Sequence, residues 1–257
     1  MVATVLCRHR RGFFLPTPGF AAVEAARYAA SMSGAKEDDG LWTAVDAYLA
    51  GHLIPKDDAL EAALRESEKA GLPAIQVTPL QGRMLAIFAR MVGARRILEV
   101  GTLGAYSTIW LARTLPADGR LITLEAAAKH AKVARKNLKR AGLLDRVELR
   151  EGPALDTLPK LKAEGAGPFD FIFLDADKEH NAEYLEWALK LARPGTVIVT
   201  DNVVREGSVL NAKSDDPTVR GTRRFFAAVA KERRVTATAI QTVSGKKYDG
   251  FALLLVN

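Results

Sequence analysis

Arg96-Ile97-Leu98-Glu99-Val100-Gly101-Thr102-Leu103-Gly104-Ala105-Tyr106-Ser107 carries strand, turn and helix signals in one short stretch. Ile97, Leu98 and Val100 make an apolar run, Gly101 and Gly104 follow it, and Ile109, Leu111, Ala112 and Leu115 then recur at helical spacing. Such a turn at the carboxyl end of a parallel strand is where open α/β sheets bind nucleotides, because glycine lets a ligand approach the backbone closely. The spacing is Glu99-x-Gly101-x-x-Gly104, with a carboxylate where the dinucleotide fingerprint has its first glycine. An acid fits poorly beside a pyrophosphate, which disfavours a dehydrogenase and suits a ligand with a cationic or amino-acid end.

Strand-like runs at 96–101, 121–125, 147–151, 169–175 and 196–202 alternate with helical patterns at 106–115, 128–141, 154–164 and 179–192. This alternation predicts a mostly parallel sheet with helices on both faces. Pro194-Gly195 marks a turn between a helix and the next strand. After a loop near 205–216, a helix at 217–232 leads to strands at 234–243 and 249–256. Their short connection, Ser244-Gly245-Lys246-Lys247, predicts an antiparallel hairpin at the sheet edge. Upstream, Leu41, Val45, Tyr48 and Leu49 share one helical face, and Leu60, Ala63 and Leu64 share another after Pro55. Residues 75–92 open on Val77-Thr78-Pro79, a helix cap with proline at the first position, and continue as an apolar stripe read as core.

At 257 residues, with 48% hydrophobic and 26% charged residues, the chain can bury a full core as one large domain. No apolar run approaches the ~20 residues of a membrane span. The single cysteine, Cys7, excludes an intrachain disulfide and gives no metal-site spacing, so a reducing, cytoplasmic setting is expected. Arg8, Arg10, Arg11 and Arg27 against Glu24 concentrate +3 of the net +7 in residues 1–31, so the remainder is only mildly basic and nucleic acid is not expected. Residues 1–35 read as a leader, disordered or upstream of a true start at Met32, with an organellar transit peptide as the alternative. Residues 36–257 read as a single domain, with N-terminal helices over 40–92 and the α/β core over 93–257.

Ligands of such sheets bind outside the carboxyl ends of the strands, and those ends are polar here: Glu99 and Gly101, Glu125, Asp175, then Asp201 with Asn202. Glu125 follows Gly101 at close to the ~20-residue interval at which an acid accepts hydrogen bonds from a ribose diol. With Gly104 and Ser107 it would hold a nucleoside. Asp175 and Asp201 fall at equivalent ends of two strands, so their carboxylates can converge. With the Asn202 amide they make a hard donor set suited to Mg²⁺ or another hard divalent ion. Lys178 follows Asp175 by one short turn, and a lysine of depressed pKa can remove a proton near neutrality.

The ordered set Val77-Thr78-Pro79, Glu99 to Ser107, Leu124-Glu125, Asp175-Ala176-Asp177-Lys178 and Asp201-Asn202 resembles the cation-dependent O-methyltransferases that use S-adenosylmethionine, the catechol and caffeoyl-CoA group. The resemblance spans about residues 40–257, and Asp-Ala-Asp-Lys is closer to the caffeoyl-CoA branch and its bacterial relatives. It implies a Rossmann-like class I methyltransferase fold, with seven strands and extra N-terminal helices. It also implies that Val77, Glu99, Gly101, Ser107, Glu125 and Asp175 contact S-adenosylmethionine. Asp175, Asp201 and Asn202 would bind Mg²⁺, with Ca²⁺ or Mn²⁺ possible, and Lys178 would be the base. A small phenolic acceptor with vicinal hydroxyls and a homodimer are implied as well. Ala105 stands where many relatives have glycine, and Pro153-Ala154 replaces more polar residues near the adenine. A methyltransferase of RNA or another macromolecule, and a non-catalytic nucleoside-binding protein, are the alternatives.

Overall fold

Strand β1 (Arg96–Val100) lies at the centre of the sheet because its residues after Arg96 are all buried. It pairs in parallel with β2 (Arg120–Glu125) on one side and β4 (Phe169–Leu174) on the other. The computed structural model describes residues 39–257. β3 (Val147–Glu151) extends the sheet beyond β2, and β5 (Ala192–Asp201) extends it beyond β4, all parallel. The last strands, β6 (Val235–Ser244) and β7 (Lys247–Val256), form a hairpin whose β7 pairs antiparallel with β5. The order β3-β2-β1-β4-β5-β7-β6 therefore reverses at β1/β4, the switch point where such sheets leave a crevice.

Alternation along the strands assigns the two faces. Ile97, Leu121, Phe171, Phe173 and Val199 face a layer that includes α2 (Asp58–Lys69), α3 (Pro79–Met91), α4 (Tyr106–Ala112) and α5 (Ala128–Arg140). Leu98, Val100, Ile122, Ile172 and Ile198 face α6 (Ala154–Ala163), α7 (Asn181–Leu191) and α8 (Pro217–Val229). The expected mostly parallel sheet, its antiparallel edge hairpin and its two helical layers are all present. Residues Asp39–Asn257 make one compact unit, and the leader expected over 1–35 lies outside the described residues.

Thr78 caps α3 by accepting the Gln81 N–H at 3.2 Å, and the helix starts at Pro79 as the Thr78-Pro79 pair predicts. Several local expectations shift for physical reasons. α4 stops at Ala112, three residues short of Leu115, where Pro116 disfavours helical backbone before it. Pro194-Gly195 falls inside β5. The ladder skips from Phe169–Ala192 to Phe171–Val197, so the turn survives as a bulge closed by the Arg193 N–H on Thr196 Oγ1. Ahead of α2 runs α1 (Asp39–Leu53), whose apolar residues Val45, Tyr48, Leu49 and Leu53 stay exposed. No helix among the described residues is long and apolar enough to cross a membrane.

Candidate active site

The crevice begins at Gly101, whose φ is +103° and where a Cβ would stand 2.2 Å from the Asp175 carbonyl oxygen. Only glycine fits both conditions. The Asp175 N–H donates to the Val100 carbonyl at 2.8 Å and the Gly101 N–H to that of Leu124 at 3.0 Å, which knits the ends of β4, β1 and β2 together. At the helix entrance Ala105 adopts φ +67°, a left-handed conformation that costs a non-glycine residue ~1 kcal/mol.

Glu125 turns back over this loop. Its Oε2 accepts the N–H groups of Thr102 at 3.2 Å and Leu103 at 2.7 Å, and its Oε1 accepts that of Ala127 at 2.9 Å. His130 Nδ1 lies 3.2 Å from the same Oε1. The carboxylate thus shapes the loop and still borders a cavity of ≈ 520 Å³. Val77, Gly101, Ser107, Glu125, Asp175, Lys178 and Asn202 all line that cavity. Leu124, Pro153, Ala154 and Leu155 give it an apolar wall suited to a base.

Glu99 and Asp201 stand behind the lining. Glu99 is fully buried and accepts hydroxyl hydrogen bonds from Ser107 and Thr123 at 2.7 Å and from Thr108 at 2.5 Å, so Ser107 is what faces the cavity. Burial pushes Glu99 up to about 7, aided by the Asp175 carboxylate and opposed by the three hydroxyls. Between pH 4.5 and 7 the native state therefore holds a proton that the unfolded chain has lost, and stability falls as pH rises through that window. Glu99→Gln should flatten this slope: from pH 5 to 8 the wild type loses up to about 3 kcal/mol relative to the variant. Paired thermal melts at both pH values, giving parallel slopes, would refute it.

Asp175 and Asp201 follow Leu174 and Thr200, register partners of adjacent strands, so the two carboxylates are neighbours. Lys178 is buried and donates from Nζ to Asp175 Oδ1 at 2.6 Å. Gln81 Nε2 donates to Asp201 Oδ2 at 2.7 Å, and the Asn202 N–H to Asp201 Oδ1 at 2.9 Å. Burial, then the Asp175 carboxylate, pushes Asp201 up to about 7 against Lys178 and these donors. Two neighbouring carboxylates and the amide of Asn202 are oxygen donors of the kind a hard divalent cation takes.

Gln81 carried no sequence signal, because only tertiary packing brings α3 to β5. Asp177, His180 and Tyr184 are also cavity residues that the sequence reading passed over. Asp177 accepts the Tyr184 hydroxyl at 2.5 Å and also bonds the His180 ring. Burial works against its charge, yet these partners hold its carboxyl below the usual range. The spacing Asp177-x-x-His180-x-x-x-Tyr184 was the available clue. Trp42, Tyr48, Tyr248 and the 205–216 loop do not line the cavity. Lys132, Arg135, Lys136, Lys139 and Arg140 form an exposed face of α5.

A crevice at the switch point, bordered by the Glu125 carboxylate with the aspartate pair beside it, is where open α/β sheets bind their ligands. A family model described as O-methyltransferase matches residues 53–253, and the chain belongs to that O-methyltransferase family. A catechol O-methyltransferase from Niastella koreensis is 53% identical over 216 residues, covering 84% of this chain and 98% of its own. An O-methyltransferase from Bacillus cereus, solved in complex with SAH, is 57% identical with a TM-score of 0.84, covering 85% and 100% of the two chains. An O-methyltransferase of tomaymycin synthesis from Streptomyces achromogenes, solved with SAM, is 47% identical with a TM-score of 0.84, covering 86% and 100%.

Proposed function

We propose that this O-methyltransferase moves the methyl group of S-adenosylmethionine to one hydroxyl of a small catechol-like acceptor, with a divalent cation and Lys178 as base. The observation that carries the reading is the Asp175–Asp201 pair with Lys178 Nζ 2.6 Å from Asp175 Oδ1, at the rim of a cavity walled by Glu125. The donor's nucleoside would lie between Glu125 and the apolar Pro153–Leu155 wall, and its amino-acid end near Gly101 and Ser107. Relatives solved with SAM or SAH, and the catechol name of the Niastella protein, support the donor and the acceptor class.

Asp175, Asp201 and Asn202 would hold the cation, which when bound lowers the pKa of a chelated hydroxyl and favours acceptors with two vicinal oxygens. Lys178 takes the hydroxyl proton. The acceptor oxygen attacks the sulfonium methyl in line; the O–C bond forms as the S–C bond breaks, leaving S-adenosylhomocysteine and a methyl ether. Burial of Lys178 and Asp201 fixes these groups before the acceptor arrives, so positioning is the protein's main contribution. A homodimer belongs to the same reading: Val45, Tyr48, Leu49 and Leu53 give α1 an exposed apolar face that a second copy would cover.

The test is methyl transfer from S-adenosylmethionine to a panel of catechols and matched monophenols, with Mg²⁺ and with EDTA. Transfer confined to the diols and abolished by EDTA is expected. EDTA-insensitive transfer would remove the cation from the reading, and transfer to monophenols at equal rates would remove the diol requirement.

A further inference from the structure

The turn of the edge hairpin is fastened at both of its central residues. The Gly245 N–H donates to Asp46 Oδ2 of α1 at 3.1 Å. The Lys246 ammonium donates to the Gln76 carbonyl and lies 3.5 Å from that of Ala74. Those carbonyls belong to the irregular segment between α2 and α3, whose Ile75, Gln76 and Val77 line the cavity.

That wall has few backbone hydrogen bonds, and only Val77 anchors it in the core. Among the described residues, residues 74–77 make a single backbone–backbone hydrogen bond, from the Ile75 N–H to the Pro73 carbonyl at 2.9 Å. Ile75 is 69% exposed, so core packing holds the segment at its Val77 end and not at Ile75. The tether comes from outside, from an otherwise surface-exposed residue at the far end of the chain. Lys246 is partly desolvated there, which lowers its pKa, while the Asp175 and Asp201 carboxylates favour its charge. An ammonium suits this task because its donors can bridge two carbonyls that no neighbouring N–H reaches.

We propose that Lys246 is a positioning residue for the donor half of the site: by bridging the Ala74 and Gln76 carbonyls to the β6–β7 turn, it sets the wall against which S-adenosylmethionine binds. The inference rests on the donor reading above. It goes beyond that reading by assigning a binding role to a residue that does not line the cavity.

Lys246→Met keeps the length of the side chain and removes the donors, and Lys246→Arg restores a cation. Three quantities are read on the full chain: the Kd of S-adenosylhomocysteine by calorimetry, amide hydrogen exchange over residues 73–78, and kcat at saturating donor and acceptor. A charge-assisted hydrogen bond at an exposed position corresponds to about tenfold in binding. Lys246→Met should weaken S-adenosylhomocysteine by about that factor and speed exchange over 73–78, with kcat at saturation unchanged; Lys246→Arg should recover part of the affinity.

Unchanged exchange, or faster exchange with unchanged Kd, would overturn the positioning role. A loss confined to kcat or to the acceptor KM would also overturn it and place the ammonium on the acceptor side. Failure of the wild type to bind S-adenosylhomocysteine would overturn the donor reading itself. That outcome is visible without any variant and so is separable from failure of the tether.

Discussion

Lys178→Met is expected to lower kcat by about 10²–10⁴-fold, the usual contribution of a positioned general base, with the Kd of S-adenosylhomocysteine nearly unchanged. The lysine is well placed for this role. It opens the short turn Lys178–His180, which Asp175-Ala176-Asp177 join to β4, and α8 clamps that turn so closely that a Cβ on Gly221 would stand 2.2 Å from the Lys178 carbonyl oxygen. Arg224 adds a hydrogen bond to the Glu179 carbonyl at 2.6 Å. The backbone is therefore fixed, and the side chain reaches the cavity with only 9% of its surface exposed.

A competing role is that of counter-ion, since the same Nζ neutralises Asp175. Lys178→Arg separates the two. Arginine keeps the charge but cannot be deprotonated in a protein, so it preserves a counter-ion and destroys a base. The base role requires Lys178→Arg to be nearly as slow as Lys178→Met, and both variants to gain rate as pH rises and the acceptor ionises on its own. Near wild-type turnover in Lys178→Arg would assign the lysine to charge balance alone.

The strands, their order and the hairpin were legible because each rests on local pattern: apolar runs, glycine turns, and Ser244 to Lys247 between two alternating segments. The convergence of Asp175 and Asp201 was legible too, because both end neighbouring strands and parallel register carries the rest. Contacts between elements distant in sequence were not. Gln81 meets Asp201 across 120 residues, and Lys246 meets Gln76 across 170, with no periodicity to announce either. The α1 stripe shows the opposite limit: helical spacing marked Val45, Tyr48 and Leu49 as one face but could not say whether this chain covers it, and these residues are exposed. Glu99 lay between. Its charge type pointed to a cationic ligand end, but not to the three hydroxyls of Ser107, Thr108 and Thr123 that occupy it.

Glu125→Gln is expected to weaken S-adenosylhomocysteine by about 100-fold and to lower Tm by several degrees at once, at about 2–4 °C per kcal/mol for a chain of this size. Both effects come from one carboxylate with two acceptor oxygens. Oε2 takes the Thr102 and Leu103 N–H groups and Oε1 takes that of Ala127, in a side chain only 8% exposed. A glutamine offers one acceptor and one donor. Whichever way its amide turns, at least one of those N–H groups then faces an NH₂, at about 1–3 kcal/mol for each buried donor left unmade. The loop from Thr102 to Ala105 is already held in left-handed backbone at Leu103 and Ala105, so losing its anchor lets the wall beside Gly101 relax. On the donor reading proposed above, the ribose diol would lose one of the two carboxylate oxygens in the same substitution. Calorimetry and melting distinguish the two contributions: a lowered Tm with unchanged affinity would leave Glu125 as the loop's anchor and remove it from the donor site.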